Sequence, residues 1–478
     1  MGFRRDLVWQ QQHHVERASI AHQIARYALA VDHRDLPDDV VRQAKRCLLD
    51  AIGCALGARE APARAIIEAT VLEIGGPTES TVIGSGIRTS ALNAALANSA
   101  LVRFLDFNDL GGGGHNSDAI PSLLAVAERE HRSGRDLLTA LVVSYELGAR
   151  FGESVAPSLT GVPINTSLEN KGWTKDIRAG FNQPPALGRL LGMTEEQIAN
   201  AVGICMSHTL PLGILDAHRE ENTMAKNIRF GWAAHDAILA CLLAKRGFTG
   251  PLRVIESDVG VRNVVASGEM DTTRLTDFSG WRMRNVRFKT LAANGSTHGH
   301  TLATLAIVTE HDLAPEDIAE VRITAPVREV RHTTAPPKKY PRNAESADHS
   351  AFYANAMAIK HRSFGAESAN PAHFADPQIL DLIEKITISA DSALSYYEGV
   401  SHIRTTDGRT YDKRVTVPHG MGDDPLSDDE LEAKFTDLAC RWLTPAQARR
   451  LADACWHVEG LADAGALAQL TVDRTDRR

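Results

Sequence analysis

Through the first 250 residues, apolar positions recur every three to four places, the spacing of helices that bury one face. The stretch DDVVRQAKRCLLDAIGCALG (38–57) puts Val40, Val41, Ala44, Cys47, Leu48, Ala51 and Ile52 on one side. Similar stripes predict helices over 62–74, 89–104, 120–132, 135–151, 183–192, 194–208 and 222–246. Thr194-Glu-Glu-Gln197 is a capping-box start, and Gly247, Gly250 and Pro251 stop the last of these helices. Near residue 285 the pattern changes. EDIAEVRITAP and IEKITISAD read as helix ends running into short strands, and VSHIRTTDGRTYDKRVTV (400–417) as a hairpin turning at Asp407-Gly408. Helical spacing returns from 427, where Ser427-Asp-Asp-Glu430 is another capping box and Thr444-Pro445 opens a later helix. The expectation is a mainly α fold. A large helical domain is built from both ends of the chain (1–285 and 420–478) and carries an inserted α+β lid domain (286–419).

The length of 478 residues exceeds what one hydrophobic core usually covers, in keeping with more than one domain. Aromatics are only 5% while alanine is abundant, which favours close-packed helices over a β-sandwich. The net charge of -8 and the lack of any basic run point away from nucleic acid. A few local Lys and Arg can still reverse the field in one cleft, so an anionic substrate is compatible with the acidic balance. No segment has the unbroken apolar length of a membrane span, so no membrane partner is expected. The start, MGFRRDLVWQQQHHVER, lacks a secretory apolar stretch, and Asp6 stands where a myristoylation site needs Ser or Thr. A cytoplasmic location is expected. Cys47, Cys54, Cys205, Cys241, Cys440 and Cys455 form no C-x-x-C pair and read as reduced, buried thiols.

Chemistry concentrates in a few places. In LDFNDLGGGGHNSD (105–118), Asp106 and Asp109 are three apart at the end of a predicted helix running to 107, followed by four glycines, His115 and Ser117. Sharing one face, such carboxylates would split their pKa values, one holding a proton and the other accepting one. A solvated helix end is the alternative, although acids there oppose the helix dipole. The glycines would let the chain turn His115 back toward the same cleft, or form a surface loop. Lys226 and Arg229, with His235, lie on an otherwise apolar helix, where a lysine either snorkels to the surface or is aimed into a cleft. Lys289 sits where the helical half meets the α+β block, followed by Ser296, Thr297 and His298, and domain junctions commonly build small-molecule sites. His298 and His300 make an H-x-H, a metal-hydrolase pattern when it lies on a barrel strand, but no βα alternation precedes it. His349 ends the long polar loop TTAPPKKYPRNAESADHS (333–350), and ordered loops of that length are often functional. Neither a dinucleotide nor a P-loop signature is present, so no organic cofactor is expected. Paired acids, histidines and two lysines suit proton abstraction next to a carboxylate.

Four stretches, in order, carry a resemblance. LDFNDLGGGGHNSD is similar to a D-F-D-D…H-P-S-[DG] segment, and AKNIRFGWAAHDAILACLLAKRGFTGP to a lysine helix followed by R/L-G-F-x-G. FKTLAANGSTH is similar to F-K-x-[YF]-P…H, and RNAESADHS to R-x-T-A-D-H-S. Together they resemble the MmgE/PrpD family, which includes 2-methylcitrate dehydratase, cis-aconitate decarboxylase and an iminodisuccinate epimerase. The resemblance implies a helical domain with an α+β lid, a homodimer, and a site between domains acting on di- or tricarboxylates without metal or organic cofactor. Asp106 and His115 then match the family's acid and histidine, Lys226 and Lys289 its carboxylate-holding lysines, and His349 and Tyr340 its lid-loop residues. Asp109, Ser117, Arg229, Thr297 and His298 are expected to bind substrate beside them. The chain departs from the decarboxylase at Leu110, Trp173 and Asn294, which stand for Thr, His and His, and Asn116 replaces the motif's Pro. These changes count against cis-aconitate decarboxylation, while Gly111 to Gly114 would reshape a 2-methylcitrate pocket. The expected activity is a cofactor-free hydro-lyase like 2-methylcitrate dehydratase. The alternatives are a decarboxylase or epimerase, a metal hydrolase built on His298 and His300, and a carboxylate binder without turnover.

Overall fold

The computed structural model describes residues 19–111, 114–155, 168–216 and 220–472. The N-terminal stretch considered for targeting, and Gly112 and Gly113 of the glycine run, lie outside the described residues. The chain is mainly helical. Helices longer than seven residues are α1 (Ile20–Ala30), α2 (Asp38–Gly57), α3 (Pro62–Ile74), α4 (Ala91–Phe104), α5 (Ile120–Arg129), α6 (Gly134–Val155) and α7 (Ala179–Leu190). They continue with α8 (Glu195–Met206), α9 (Ala225–Lys245), α10 (His298–Glu310), α11 (Ala351–His361), α12 (Pro377–Lys385), α13 (Asp428–Ala439) and α14 (Pro445–Trp456). The capping boxes at Thr194 and Ser427 are both formed, and Thr444 makes a third with Gln447.

A four-stranded sheet comprises β1 (Ile318–Pro326), β2 (Ile386–Asp391), β3 (Gly399–Thr405) and β4 (Thr410–Val415), in the order β2-β1-β3-β4. β1 and β2 are parallel, joined through α11 and α12, while β3 and β4 are the antiparallel hairpin around Asp407-Gly408. α10 packs on β3, and Gly299 and Gly399 meet there so closely that neither has room for a side chain.

The two ends of the chain meet. α13 lies along α2, where a side-chain carbon at Gly57 would come within 2.6 Å of Leu438 and one at Gly53 within 3.1 Å of Phe435. One continuous apolar cluster runs from Ile24 and Leu48 of the first helices through Val321 and Ile403 of the sheet to Leu438. No helix among the described residues is long and apolar enough to cross a membrane.

Four local expectations need correction. The helix before the glycine run stops at Phe104, because Asp106 adopts φ 45° and breaks the α geometry. α7 begins four residues earlier than expected and contains Pro184 and Pro185, so a proline costing a helix hydrogen bond is tolerated inside a fully packed segment. The 333–350 loop is not irregular throughout, since Pro336–Lys339 and Ala344–Ala347 are short helices. Five cysteines are buried as expected, but Cys440, just past the end of α13, is exposed.

Candidate active site

Asp106 is the centre of the site. It is fully buried one residue beyond the C-cap of α4, and its left-handed backbone turns both its carbonyl and its carboxylate toward Lys289. Aspartate tolerates that conformation better than most residues, and strained backbone of this kind gathers at functional sites. The Lys289 ammonium donates to Asp106 Oδ1 at 2.7 Å and to its carbonyl at 2.5 Å, while Arg103 donates to the same Oδ1 at 2.8 Å. Burial works to raise the Asp106 pKa, but Lys289, Arg103 and Lys226 together hold it well below the ordinary carboxylate range. Asp106 Oδ2 has no hydrogen-bond partner.

Two histidines flank that carboxylate. His115 Nε2 lies 3.8 Å from Oδ1, and His349 Nδ1 lies 3.8 Å from Oδ2. His115 Nδ1 donates to the Asp109 carbonyl at 2.6 Å, so the neutral ring leaves Nε2 as a free acceptor. Burial, reinforced by Arg103 and Lys289, pushes the His115 pKa well below 6.5 and keeps the ring neutral. His349 Nδ1 is 2.5 Å from Asp348 Oδ1, and the other oxygen of Asp348 is bonded to the Lys226 ammonium. Burial raises the Asp348 carboxyl to about 7, against the pull of Lys226. On the far side of the ring, Asn294 Nδ2 donates to His349 Nε2 at 2.9 Å and lies 3.4 Å from His332 Nε2. Asn294 Oδ1 is already taken by the backbone N–H of Ser296, which sets the amide so that its NH₂ faces the histidines.

Three cations, Arg103, Lys226 and Lys289, therefore surround two carboxylates, Asp106 and Asp348. Asp118 and Asp176 also face Arg103, and Glu345 faces Lys226, so the buried cations stand among several acids. Asp106, Asp348 and His349 hold ligand atoms within 4.8 Å of one another. That set is a poor metal site, because the Lys289, Arg103 and Lys226 cations bonded to the same two carboxylates would repel a further cation.

The expected residues fall into three groups. Asp106, His115, Lys226, Lys289 and His349 come together, and Lys226 is fully buried rather than snorkelling. Asp109 and Ser117 lie behind them. Asp109 does not pair with Asp106, because the helix ends before either acid; its oxygens accept from Ser117 Oγ and Tyr145 OH, each at 2.6 Å. Burial raises the Asp109 carboxyl to about 6. Arg229 faces Asp176 at 2.8 Å, and Thr297 Oγ1 caps the Asn294 carbonyl at 2.9 Å. His298 Nε2 is 3.3 Å from the Ala293 carbonyl, while His300 accepts from Asn355; both lie at the start of α10, where positions two apart face different ways. Tyr340 is 42% exposed and lies under the Lys339 ammonium, outside the cluster.

Sequence reasoning did not single out Arg103, Asp348, Lys434 or Tyr145. Arg103 carried a usable signal, since a lone arginine three residues before Asp106 on an alanine-rich helix is placed to pair with it. Asp348 adjoins His349 in the same motif. Lys434 is far away in sequence, yet its ammonium bonds Asp50 Oδ1 and the Phe107 carbonyl, each at 2.7 Å, and the Lys289 carbonyl at 3.1 Å.

The pattern described as the MmgE/PrpD N-terminal domain matches residues 22–273, and the MmgE/PrpD C-terminal domain matches residues 292–458. The chain belongs to the MmgE/PrpD family. It is 25% identical to the cis-aconitate decarboxylase-like protein oryM of Aspergillus oryzae, over 95% of this chain and 97% of that one. It is 26% identical to the cis-aconitate decarboxylase of Mus musculus, over 93% and 91% of the two chains. With the 2-methylcitrate dehydratase of Escherichia coli it shares 25% identity over 79% and 80%. The MmgE/PrpD relatives thus include both decarboxylases and dehydratases at nearly equal identity.

Proposed function

We propose that this MmgE/PrpD chain is a cofactor-free lyase that removes a proton α to a carboxylate and eliminates water from a di- or tricarboxylic hydroxy acid. The observation that carries this reading is the pair of histidines on either side of Asp106, set beside the buried ammonium groups of Lys226 and Lys289. His115 Nε2 is the base, because its other nitrogen is committed to the Asp109 carbonyl. The C–H bond breaks toward His115, the electron pair forms the C=C bond, and the C–O bond breaks. The His349–Asp348 pair protonates the departing hydroxyl, which leaves as water. Lys226 and Lys289, oriented by Asp348 and Asp106, hold carboxylates and stabilise the enolate-like charge. In this reading residues 286–419 act as a lid over the helical domain, and the protein works in the cytoplasm.

The similarity to decarboxylases supports a second reading in which the same cluster releases carbon dioxide and protonates the resulting carbanion. NMR of chelator-treated protein in D₂O with 2-methylcitrate, citrate, cis-aconitate and iminodisuccinate separates the two. A new alkene signal from a hydroxy acid is the expected result. Itaconate from cis-aconitate would make it a decarboxylase, exchange with inversion an epimerase, and no change in any of the four would overturn the substrate assignment.

A further inference from the structure

Beside His115 lies a cleft walled by Phe230 and Ala233 of α9 and lined by Asn116, Asp118, Asp176, Arg178, Asn182 and Gln183. Its charges are matched internally. Arg178 donates to Asp118 Oδ2 at 2.8 Å, to the His115 carbonyl and to the Lys175 carbonyl at 3.2 Å. Asp176 sits between Arg178, at 3.6 Å, and Arg229, at 2.8 Å. Gln183 Oε1 accepts from Ser122 at 2.8 Å. A carboxylate entering here would find no spare cation on Arg178.

What remains is a set of oxygens. Asp118 Oδ1 and Asn182 Oδ1 have no hydrogen-bond partner, although these residues are only 5% and 2% exposed, while Asn116 Oδ1 is turned against Gly148 of α6. Asn182 Nδ2 faces the Ser144 carbonyl at 3.2 Å and its hydroxyl at 3.1 Å, which fixes the amide with its oxygen turned away from them. Asp118 Oδ1 is an acceptor whichever way the carboxylate is drawn when ionised. Burial pushes the Asp118 carboxyl up, against the pull of Arg178 and Arg103, and a donor at Oδ1 would stabilise its ionised form. A buried acceptor left unmade costs about 1–3 kcal/mol, so a cleft lined in this way favours a group that brings N–H or O–H donors.

Resting on the carboxylate-lyase reading, we infer that this cleft binds a hydrogen-bond-donor group of the substrate other than the departing hydroxyl, an amine or a second hydroxyl, held beside His115 by Asp118 and Asn182. The substrate is then divided between two environments. Its carboxylate faces the lysine-rich cluster, and its donor group enters a pocket of oxygens that a plain polycarboxylate leaves unsatisfied.

Calorimetric titration of the full chain with succinate, malate, aspartate and methylammonium tests this. Malate or aspartate should bind at least about tenfold more tightly than succinate, the worth of one buried hydrogen bond. In Asn182→Leu and Asp118→Asn proteins, checked for folding by thermal melting, that margin should fall below about threefold while succinate binds as before. Preference for aspartate assigns an amine, and preference for malate a hydroxyl. Equal affinity of all three acids, or a margin that survives both substitutions, means that ordered water fills the cleft and overturns the proposal. If the acids fail to bind but methylammonium binds the parent and neither variant, the carboxylate reading falls and the donor pocket stands. If none of the four probes binds, both fall.

Discussion

Lys289 shows how a single residue links burial to function. Taking its ammonium out of water lowers its pKa to about 8, even though Asp106 beside it works the other way. The side chain is therefore cationic below pH 8 and neutral above. If it holds a carboxylate, kcat/KM should fall by roughly tenfold per pH unit above about pH 8. Lys289→Arg should remove that alkaline limb, because a guanidinium does not titrate there, whereas Lys289→Met should cost about 10²–10³ in kcat/KM below pH 8 and progressively less above it, where the parent loses the charge too. A limb that persists in the arginine protein would assign the titration to another group. Asn294 makes a second test at this scale. Its NH₂ faces the Nε2 atoms of His349 and His332, so the His349 ring should carry its proton on Nδ1. Long-range ¹H–¹⁵N spectra at pH 7 should show an unprotonated Nε2 in the parent and a protonated one in Asn294→Asp, where a carboxylate replaces the donor.

Among the elements, the turn at Gly114 and α13 do the positioning. Gly114 has φ 149°, and a side-chain carbon there would lie 2.6 Å from Arg178, which also bonds the carbonyl of His115. Gly114→Ala should cost about 1–3 kcal/mol in urea unfolding and lower turnover by displacing His115. Lys434 on α13 ties Asp50 of α2 to the carbonyls of Phe107 and Lys289. Lys434→Met leaves Asp50 buried and unpaired, and should cost about 3–5 kcal/mol. Equal urea midpoints for variant and parent would show that the bridge does not hold the site. These elements also mark what the chain let one read in advance. Helices α2, α8, α13 and α14 and the β3–β4 hairpin follow from spacing and caps only a few residues long, and they stand where expected. Asp106 and Asp109 looked paired because i, i+3 spacing is meaningful only inside a helix, and the left-handed turn at Asp106 ends α4 before them. Asp348 and Lys434 join the cluster through contacts spanning scores of residues, which no local pattern encodes.

At the scale of the whole molecule, several large apolar side chains stand exposed on two helices that share a neighbour. α3 and α9 both pack on α4, and a small cluster of Ala63, Ile67, Val71 and Ala100, with Ile228 against it, joins the three helices. On α3, Ile66 and Leu72 are 59% and 61% exposed, and on α9 Trp232 and Leu239 are 53% and 39% exposed. Large apolar side chains gathered on neighbouring helices cost free energy in water and commonly mark an interface. The homodimer expected of this chain would cover them, and α9 also carries Lys226, so the interface would brace the helix that supplies part of the site. Sedimentation velocity should therefore give a dimer for the parent, and a monomer for Trp232→Glu combined with Leu239→Glu, since burying two carboxylates opposes association. The monomer should keep its helical circular dichroism but lose turnover, because α9 is no longer held from outside. A dimer that survives both substitutions would place the interface elsewhere, and a monomeric parent would leave Trp232 exposed for some other partner.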